Sequence, residues 1–282
     1  MHLVMILAVV AVAWWLRLQW SHPLAGSWRQ RFERALFLFL FPPLLLLITA
    51  IAVLCMGPQG QMIGLRAGWF SYTLAASFLG VAGVLCFKLA WQGWQSIRRV
   101  RTYPQVKLEN QIIRILNTDA LFAGQIGFWQ PDLVVSQGLL ETLSPEHLQS
   151  VLTHEQGHYH YRDTFWFFWL GWLRECTAWL PNTNELWQEL LVLRELRADN
   201  WAALRIDPLL LAESLLMVVS DHALAELDVF CAALAAPRVG DRLEQRIDAL
   251  LTEPQKISNV HWQTWAWFLL AFLPLTTVLF HN

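Results

Sequence analysis

The sequence predicts a mainly α-helical membrane protein, in which about four transmembrane helices flank a more polar central stretch of helices and a small β-sheet. Three observations lead there. Of 282 residues, 56% are hydrophobic and only 15% charged, against roughly 25% charged in soluble domains. The mean hydropathy is positive, at +0.37. Apolar runs of helical length lie towards both ends of the chain, with many of its 17 Trp residues at their borders, where aromatic rings collect at a membrane–water interface. This composition excludes a disordered chain, a collagen-like repeat and a small disulfide scaffold. A formal net charge of −2 supplies no global field for nucleic acid, so membrane lipid is an expected partner and nucleic acid is not. Cys55, Cys86, Cys176 and Cys231 show no CxxC spacing, which gives no sign of a disulfide framework or a cysteine metal site.

A crossing helix needs about 20 mostly apolar residues. Leu36–Met56, Trp69–Phe87 and Trp262–Phe280 meet that requirement without a charge. Pro42 and Pro43 interrupt the first and are expected to kink rather than abolish it, because membrane helices tolerate proline where neighbours re-satisfy the backbone. Met1–Leu16 is shorter, and its first basic residue, Arg17, follows the apolar run instead of preceding it. That order favours an anchor helix over a signal peptide. The expected organisation is a membrane part over residues 1–95 (spans at about 1–16, 36–56 and 69–90), a central domain over 96–261, and a C-terminal span within 262–282.

Orientation follows from the basic residues of the short loops. Arg17, Arg29, Arg31 and Arg34 lie in the first loop, Arg66 alone in the second, and Lys88, Arg98, Arg99, Arg101, Lys107 and Arg114 after the third span. The expected topology is a bacterial-type inner-membrane protein with its N-terminus outside and the central domain cytoplasmic. Thr164–Leu180 (TFWFFWLGWLRECTAWL) is broken by Arg174 and Glu175; its apolar core is too short to cross, so it is expected to lie on the membrane or re-enter it.

Within the central domain, 111–116 (QIIRIL) and 132–136 (DLVVS) are β-branched runs bounded by turn residues, the signature of short strands. Ser144-Pro145-Glu146 has the chemistry of a helix start, with an N-cap, a proline in the first turn and an acid beside it. Leu148, Val151 and Leu152 carry that helix into His154-Glu155-Gln156-Gly157-His158.

This HExxH pattern sets two imidazoles on one helix face, positioned to hold a single ion, with Glu155 turned aside to take a proton from water. The competing reading is a histidine-rich helix facing solvent or headgroups. A catalytic zinc site keeps three protein ligands and an open position. Glu195-Leu-Arg-Ala-Asp199, on a helix expected over Glu185–Leu204, offers Glu195 as the third ligand and Asp199 as a hydrogen-bond acceptor for a ligating histidine. Taken alone, Glu195 and Asp199 would be an exposed acid pair among Arg194, Arg197 and Arg205. His147, two turns before His154, is a further candidate, whereas His160 points away from the metal face.

The segment Ala120–Asp163 resembles the core of the BlaR/MecR-type integral-membrane zinc metallopeptidases. It shares Gly124, Gly127 and Pro131 around a strand, then Ser136, Gly138-Leu139-Leu140, the Ser-Pro-Glu helix start, HExxH and Arg162-Asp163. HtpX-type and CAAX-type membrane proteases share the GLL, HExxH and ExxxD elements; Ala198-Asp199 looks more like that group, and Arg246-Ile247-Asp-Ala-Leu250 resembles a stretch following the third ligand in both. The resemblance covers roughly residues 90–252. It implies a zincin-like α+β domain of the gluzincin type, one Zn²⁺ held by His154, His158 and Glu195, and Glu155 as the catalytic acid/base. No penicillin-binding sensor domain is expected in this chain. Ala236-Pro237-Arg238 stands where HtpX-like members often carry Thr-His-Pro, leaving Arg246 and His222 as candidate transition-state or substrate contacts.

The expected activity is zinc-dependent endopeptidase hydrolysis at the cytoplasmic face, cutting a repressor or signalling protein, with a repressor or sensor as candidate partner. HtpX-like quality control of membrane proteins and a non-catalytic membrane scaffold are the alternatives. Leu133, Val134 and Val135 are expected to form an edge strand to which an extended peptide or protein substrate adds.

Overall fold

The N-terminal apolar runs fold as helices whose ends follow from local chemistry. In the computed structural model, which describes residues 2–20, 27–59, 61–62, 65–66, 68–108, 111–219, 243–252 and 266–280, α1 spans His2–Leu18, α2 Trp28–Met56 and α3 Trp69–Arg101. Ser27 and Gln30 form a reciprocal capping box at the start of α2, which satisfies backbone N–H groups that would otherwise be left open. Pro42 and Pro43 lie inside a helix that continues past them. Arg98, Arg99 and Arg101 occupy the last turn of α3, where cations meet the negative end of the helix dipole. A two-residue antiparallel pair, β1 (Gln61–Met62) with β2 (Leu65–Arg66), lies between α2 and α3.

Of the four expected spans, α2 and α3 are long and apolar enough to cross a membrane. α1 has 17 residues, at the lower limit of a crossing helix. The C-terminal stretch is broken into a 3₁₀ turn (Trp267–Phe272), α10 (Leu273–Thr276) and a second 3₁₀ turn (Thr277–Phe280), with Pro274, which lacks an N–H, in the first turn of α10. α3 exposes Phe70, Val81, Val84 and Phe87 at 58–70%, a face suited to hydrocarbon rather than water.

The chain divides into two units, one of residues 1–88, 172–190 and 258–282, the other of 89–171 and 191–257. Residues 172–190 thus group with the N-terminal helices. In the first unit Leu47, Ala82, Leu173 and Cys176 share a buried cluster. Arg17, counted from sequence as a loop charge, is buried there; it donates to Thr183 Oγ1 at 3.2 Å and Phe39 O at 3.1 Å. Arg31 Nε donates to the buried Glu189 at 3.0 Å. A buried cation survives only with such partners.

The second unit holds a four-stranded mixed sheet in the order β3 (Gln105–Leu108), β4 (Gln111–Leu116), β6 (Asp132–Ser136), β5 (Ala123–Ile126). β4 and β6 fall where 111–116 and 132–136 predict strands. β6, however, is not an edge. It pairs with β4 in parallel and with β5 antiparallel. Leu133 and Val135 join one buried cluster with Ile113, Leu139 and Val151, while Val134 joins another with Val100 and Leu116. A strand buried on both faces reads as a continuous apolar run and belongs inside a sheet. The outer strand on that side, among the described residues, is β5.

Ser136 ends β6 and begins α4 (Gln137–Thr142): its hydroxyl accepts from Leu139 N at 3.2 Å and from Phe122 N at 2.9 Å. Gly138 N donates to Thr118 O at 2.9 Å. Then follow α5 (Pro145–His160), α6 (Asp163–Cys176), α7 (Thr183–Ala203), α8 (Pro208–Val219) and α9 (Leu243–Leu251). Ser144 caps α5, as its Ser-Pro-Glu start predicts. With 14 residues, α6 is about 21 Å long, short of a ~30 Å hydrocarbon core.

Gly138 is required by close approach, because a Cβ there would lie 2.0 Å from Asp119 O. Gly138→Ala must displace backbone, and is expected to destabilise the central unit by about 1–3 kcal/mol or more. A lowered thermal unfolding midpoint in detergent measures this; an unchanged midpoint would contradict the packing described.

Candidate metal centre

α5 places His154 and His158 one turn apart, both buried or nearly so. Their Nε2 atoms lie 3.1 Å apart. α7 brings Glu195 Oε2 to 3.4 Å from His154 Nε2 and 3.7 Å from His158 Nε2. All three ligating atoms lie within 4.8 Å of one another. Tetrahedral zinc with bonds of about 2.0–2.2 Å places its ligand atoms about 3.3 Å from each other. The donors, two imidazole nitrogens and one carboxylate oxygen, fit a single such ion.

Each imidazole is aimed by a carboxylate, and each carboxylate by an arginine. His154 Nδ1 lies 2.8 Å from Asp199 Oδ1, and Asp199 receives Arg246 Nε at 2.7 Å and Nη2 at 2.8 Å. His158 Nδ1 lies 2.7 Å from Asp163 Oδ2, and Asp163 receives Arg197. Fixing Nδ1 in this way sets the ring orientation and leaves Nε2 for the ion. On Glu195, Oε1 accepts from Arg194 Nε at 3.0 Å and Nη2 at 2.8 Å, which leaves Oε2 towards the histidines.

Backbone geometry brings these groups together. Gly157 lets α5 and α7 approach: a Cβ there would sit 3.3 Å from Ala198 Cα and O, tighter than ordinary contact. Arg162 adopts a left-handed conformation, φ 56°, uncommon without glycine. It turns the chain between α5 and α6, and its Nη1 bonds Trp129 O at 2.8 Å. Asp163 follows directly.

Burial alone would raise the Glu195 carboxyl, but the charges of His158 and Arg194, with hydrogen bonds from both histidines, hold it well below the usual range. Asp199 behaves alike, with Arg246 outweighing burial. Burial would lower both imidazoles; the surrounding carboxylates reverse this, raising His154 and pushing His158 up to about 10. Burial raises Glu155 against the opposing charge of the two histidines. The cluster favours positive charge, and histidine protons are what a divalent ion displaces on binding.

Glu155 is buried and lies outside the donor triad, lining a cleft with His154, Glu195 and Arg246. Its carbonyl accepts from Gln125 Nε2 of β5 at 3.4 Å. His147 sits elsewhere, at the α5 N-terminus, 2.7 Å from Ser144 Oγ and 3.4 Å from Glu213. His222 lies outside the described residues. Sequence reasoning gave no role to Asp163, Arg194, Arg197 or Gly157; the available signals were the acid five residues past His158 and the glycine inside HExxH.

Asp163→Asn and Asp199→Asn keep side-chain size but lose the carboxylate charge. Each is expected to weaken zinc binding about 10–100-fold in a chelator competition, with far-UV circular dichroism preserved. Unchanged affinity in both would contradict the aiming role.

No curated protein and no solved structure matches the chain. Residues 95–181 match the family model described as Peptidase family M48; these include the sheet and the HExxH helix, while Glu195, Asp199 and Arg246 lie beyond them. Over those residues the chain is similar to that family, in keeping with the BlaR/HtpX-type resemblance read from its motifs.

Proposed function

We propose that this protein is an integral-membrane, zinc-dependent endopeptidase acting at the cytoplasmic face. The observation that carries the reading is the convergence of His154 Nε2, His158 Nε2 and Glu195 Oε2 beside the buried Glu155. In this reading those three residues hold one Zn²⁺. Zinc there would supply Lewis acidity to a scissile carbonyl and lower the pKa of water towards about 7.

The remaining work belongs to the chain. Glu155 removes the proton of the attacking water and delivers it to the leaving amine; its raised pKa suits it to hold that proton in between. Asp199 and Asp163 keep the imidazoles oriented. Arg246, donating through two nitrogens to Asp199, acts as a positioning residue. β5, the outer strand beside Glu155, offers main-chain groups to an extended substrate in place of β6.

Four spans are proposed: α1, α2, α3 and the helical stretch ending at Phe280. The N-terminus lies outside and the basic end of α3 inside. Segment 164–180 stays at the membrane surface or re-enters it. Cleavage of a repressor or signalling protein is the proposed role; the HtpX-like Ala198-Asp199 pair supports quality control of membrane proteins as the second reading.

Glu155→Gln is expected to keep one zinc per chain by elemental analysis and to lower peptide hydrolysis by about 10²–10⁴-fold. Proteolysis retained by the purified variant would overturn the mechanism. Reporter fusions after residues 59 and 108 are expected to read outside and inside, respectively; the reverse would overturn the topology.

A further inference from the structure

Outside the donor cluster, the second unit gathers aromatic rings where the β5–β6 turn meets the start of α6. Gly127 keeps that turn tight, since a Cβ there would lie 2.5 Å from Pro131 Cα, and Phe128 and Trp129 stand at its tip. Phe128 meets Phe165 and Phe168 edge-on, with ring centres 5.0 and 5.2 Å apart, and Trp129 meets Phe165 at 5.0 Å. α6 is two-faced here: Phe167 and Leu170 are buried, whereas Trp166 and Trp169 are exposed, as is Trp129 at 54%. The carbonyls of the tip are already paired, Phe128 O with Thr164 Oγ1 and Trp129 O with Arg162 Nη1, both at 2.8 Å. The tip can leave water without stranding them.

The same turn adjoins the basic end of α3. Val100 shares a buried cluster with Ile126 and Val134, and two residues of extended chain, ~7 Å, separate Ile126 from Phe128. On the other side of the turn, Arg101 Nε lies 3.9 Å from Asp132 Oδ2. Asp132 is the acid beside the turn, and it is shared with Arg114 at 3.1 Å. Arg98 and Arg99 are exposed. Arg98 lies over the Trp94 ring at 3.9 Å and Arg162 over the Trp129 ring at 5.2 Å, so guanidinium groups and indoles alternate along one surface.

We propose that the β5–β6 turn and the outer face of α6 form a wedge that seats the second unit in the headgroup layer, with Arg98, Arg99 and Arg162 giving it a preference for anionic phospholipid. The proposal rests on the membrane reading above, in which α3 crosses and its basic end lies inside. To segment 164–180 it adds a second element, distant in sequence, and a lipid class. Trp rings suit the boundary between hydrocarbon and water, and each arginine held near an anionic surface strengthens binding about fivefold. Continuity favours lipid over a protein partner, because the patch begins where α3 ends.

The test places the full chain in nanodiscs of phosphatidylcholine, alone or with about one-third phosphatidylglycerol. Each disc carries a trace of phospholipid with a photoactivatable diazirine on its acyl chain, and mass spectrometry locates the label. Residues 127–131 are expected to be labelled together with the apolar stretch 81–87 of α3. Phosphatidylglycerol should raise labelling of the turn by about threefold or more, and molar salt should remove that gain. Trp129→Glu is expected to lower labelling of 164–171, which it leaves intact, by about fivefold, whereas Trp129→Phe keeps it; circular dichroism shows that both variants fold. A labelled α3 beside an unlabelled turn would overturn the wedge and leave this surface to a protein partner. Equal labelling of the turn in the two lipids would overturn the anionic preference. A turn labelled without α3 would support the wedge and overturn the span, and no label at either place would overturn both.

Discussion

The centre depends on a pair of matched clamps, His154–Asp199–Arg246 and His158–Asp163–Arg197. A histidine on a helix is free to rotate about its side-chain torsions, and two such rings meet at one point only when something fixes both. Here each Nδ1 is tied to a carboxylate that is itself tied to a guanidinium. The clamps draw on α5, α6, α7 and α9, so most of the second unit's helices are committed to aiming two nitrogen atoms. Those helices come close enough because Gly157 has no side chain to hold Ala198 away.

The charge balance follows from the same groups. Glu155, Asp163, Glu195 and Asp199 share this buried region with Arg194, Arg197 and Arg246, leaving the acids in excess when both histidines are neutral. Such an excess is costly in a medium of low dielectric. It is relieved by protons on the imidazoles, as their raised pKa values reflect, or by a bound cation. Arg194 holds the second oxygen of Glu195, Oε1, with two hydrogen bonds, which leaves Oε2 towards the histidines and within 3.6 Å of Arg246 Nη1.

Much of this arrangement is legible in the sequence, for definable reasons. Helical spacing alone sets His154 and His158 on one face, and Ser144-Pro145-Glu146 marks where their helix begins. ExxxD supplies an acid and its neighbour one turn on. Asp163 was harder to assign, because its partnership with His158 depends on a left-handed Arg162, and nothing in an arginine's chemistry announces a positive φ. The order of strands was not legible either. DLVVS reads equally as an edge or a central strand until both of its faces are seen to be buried. Of the expected spans, α2 and α3 were readable as composition, but the proline-broken C-terminal stretch was not readable as geometry.

A distance constrains topology more strongly than hydropathy does. His154 and Glu195 lie 3.4 Å apart, yet the chain between them contains the most aromatic stretch of the central region. In the proposed membrane arrangement both ends of that excursion lie on one side, so residues 155–194 would cross an even number of times or not at all. α6 is too short for one pass, and the return path from Thr177 to Asn182 is a tight turn in which Thr183 Oγ1 caps Thr177 O and Leu180 O. In the proposed arrangement this apolar segment lies at the membrane surface or re-enters it, where Trp side chains meet both hydrocarbon and water. The exposed Trp166, Trp169 and Trp179 are the residues such a position calls for.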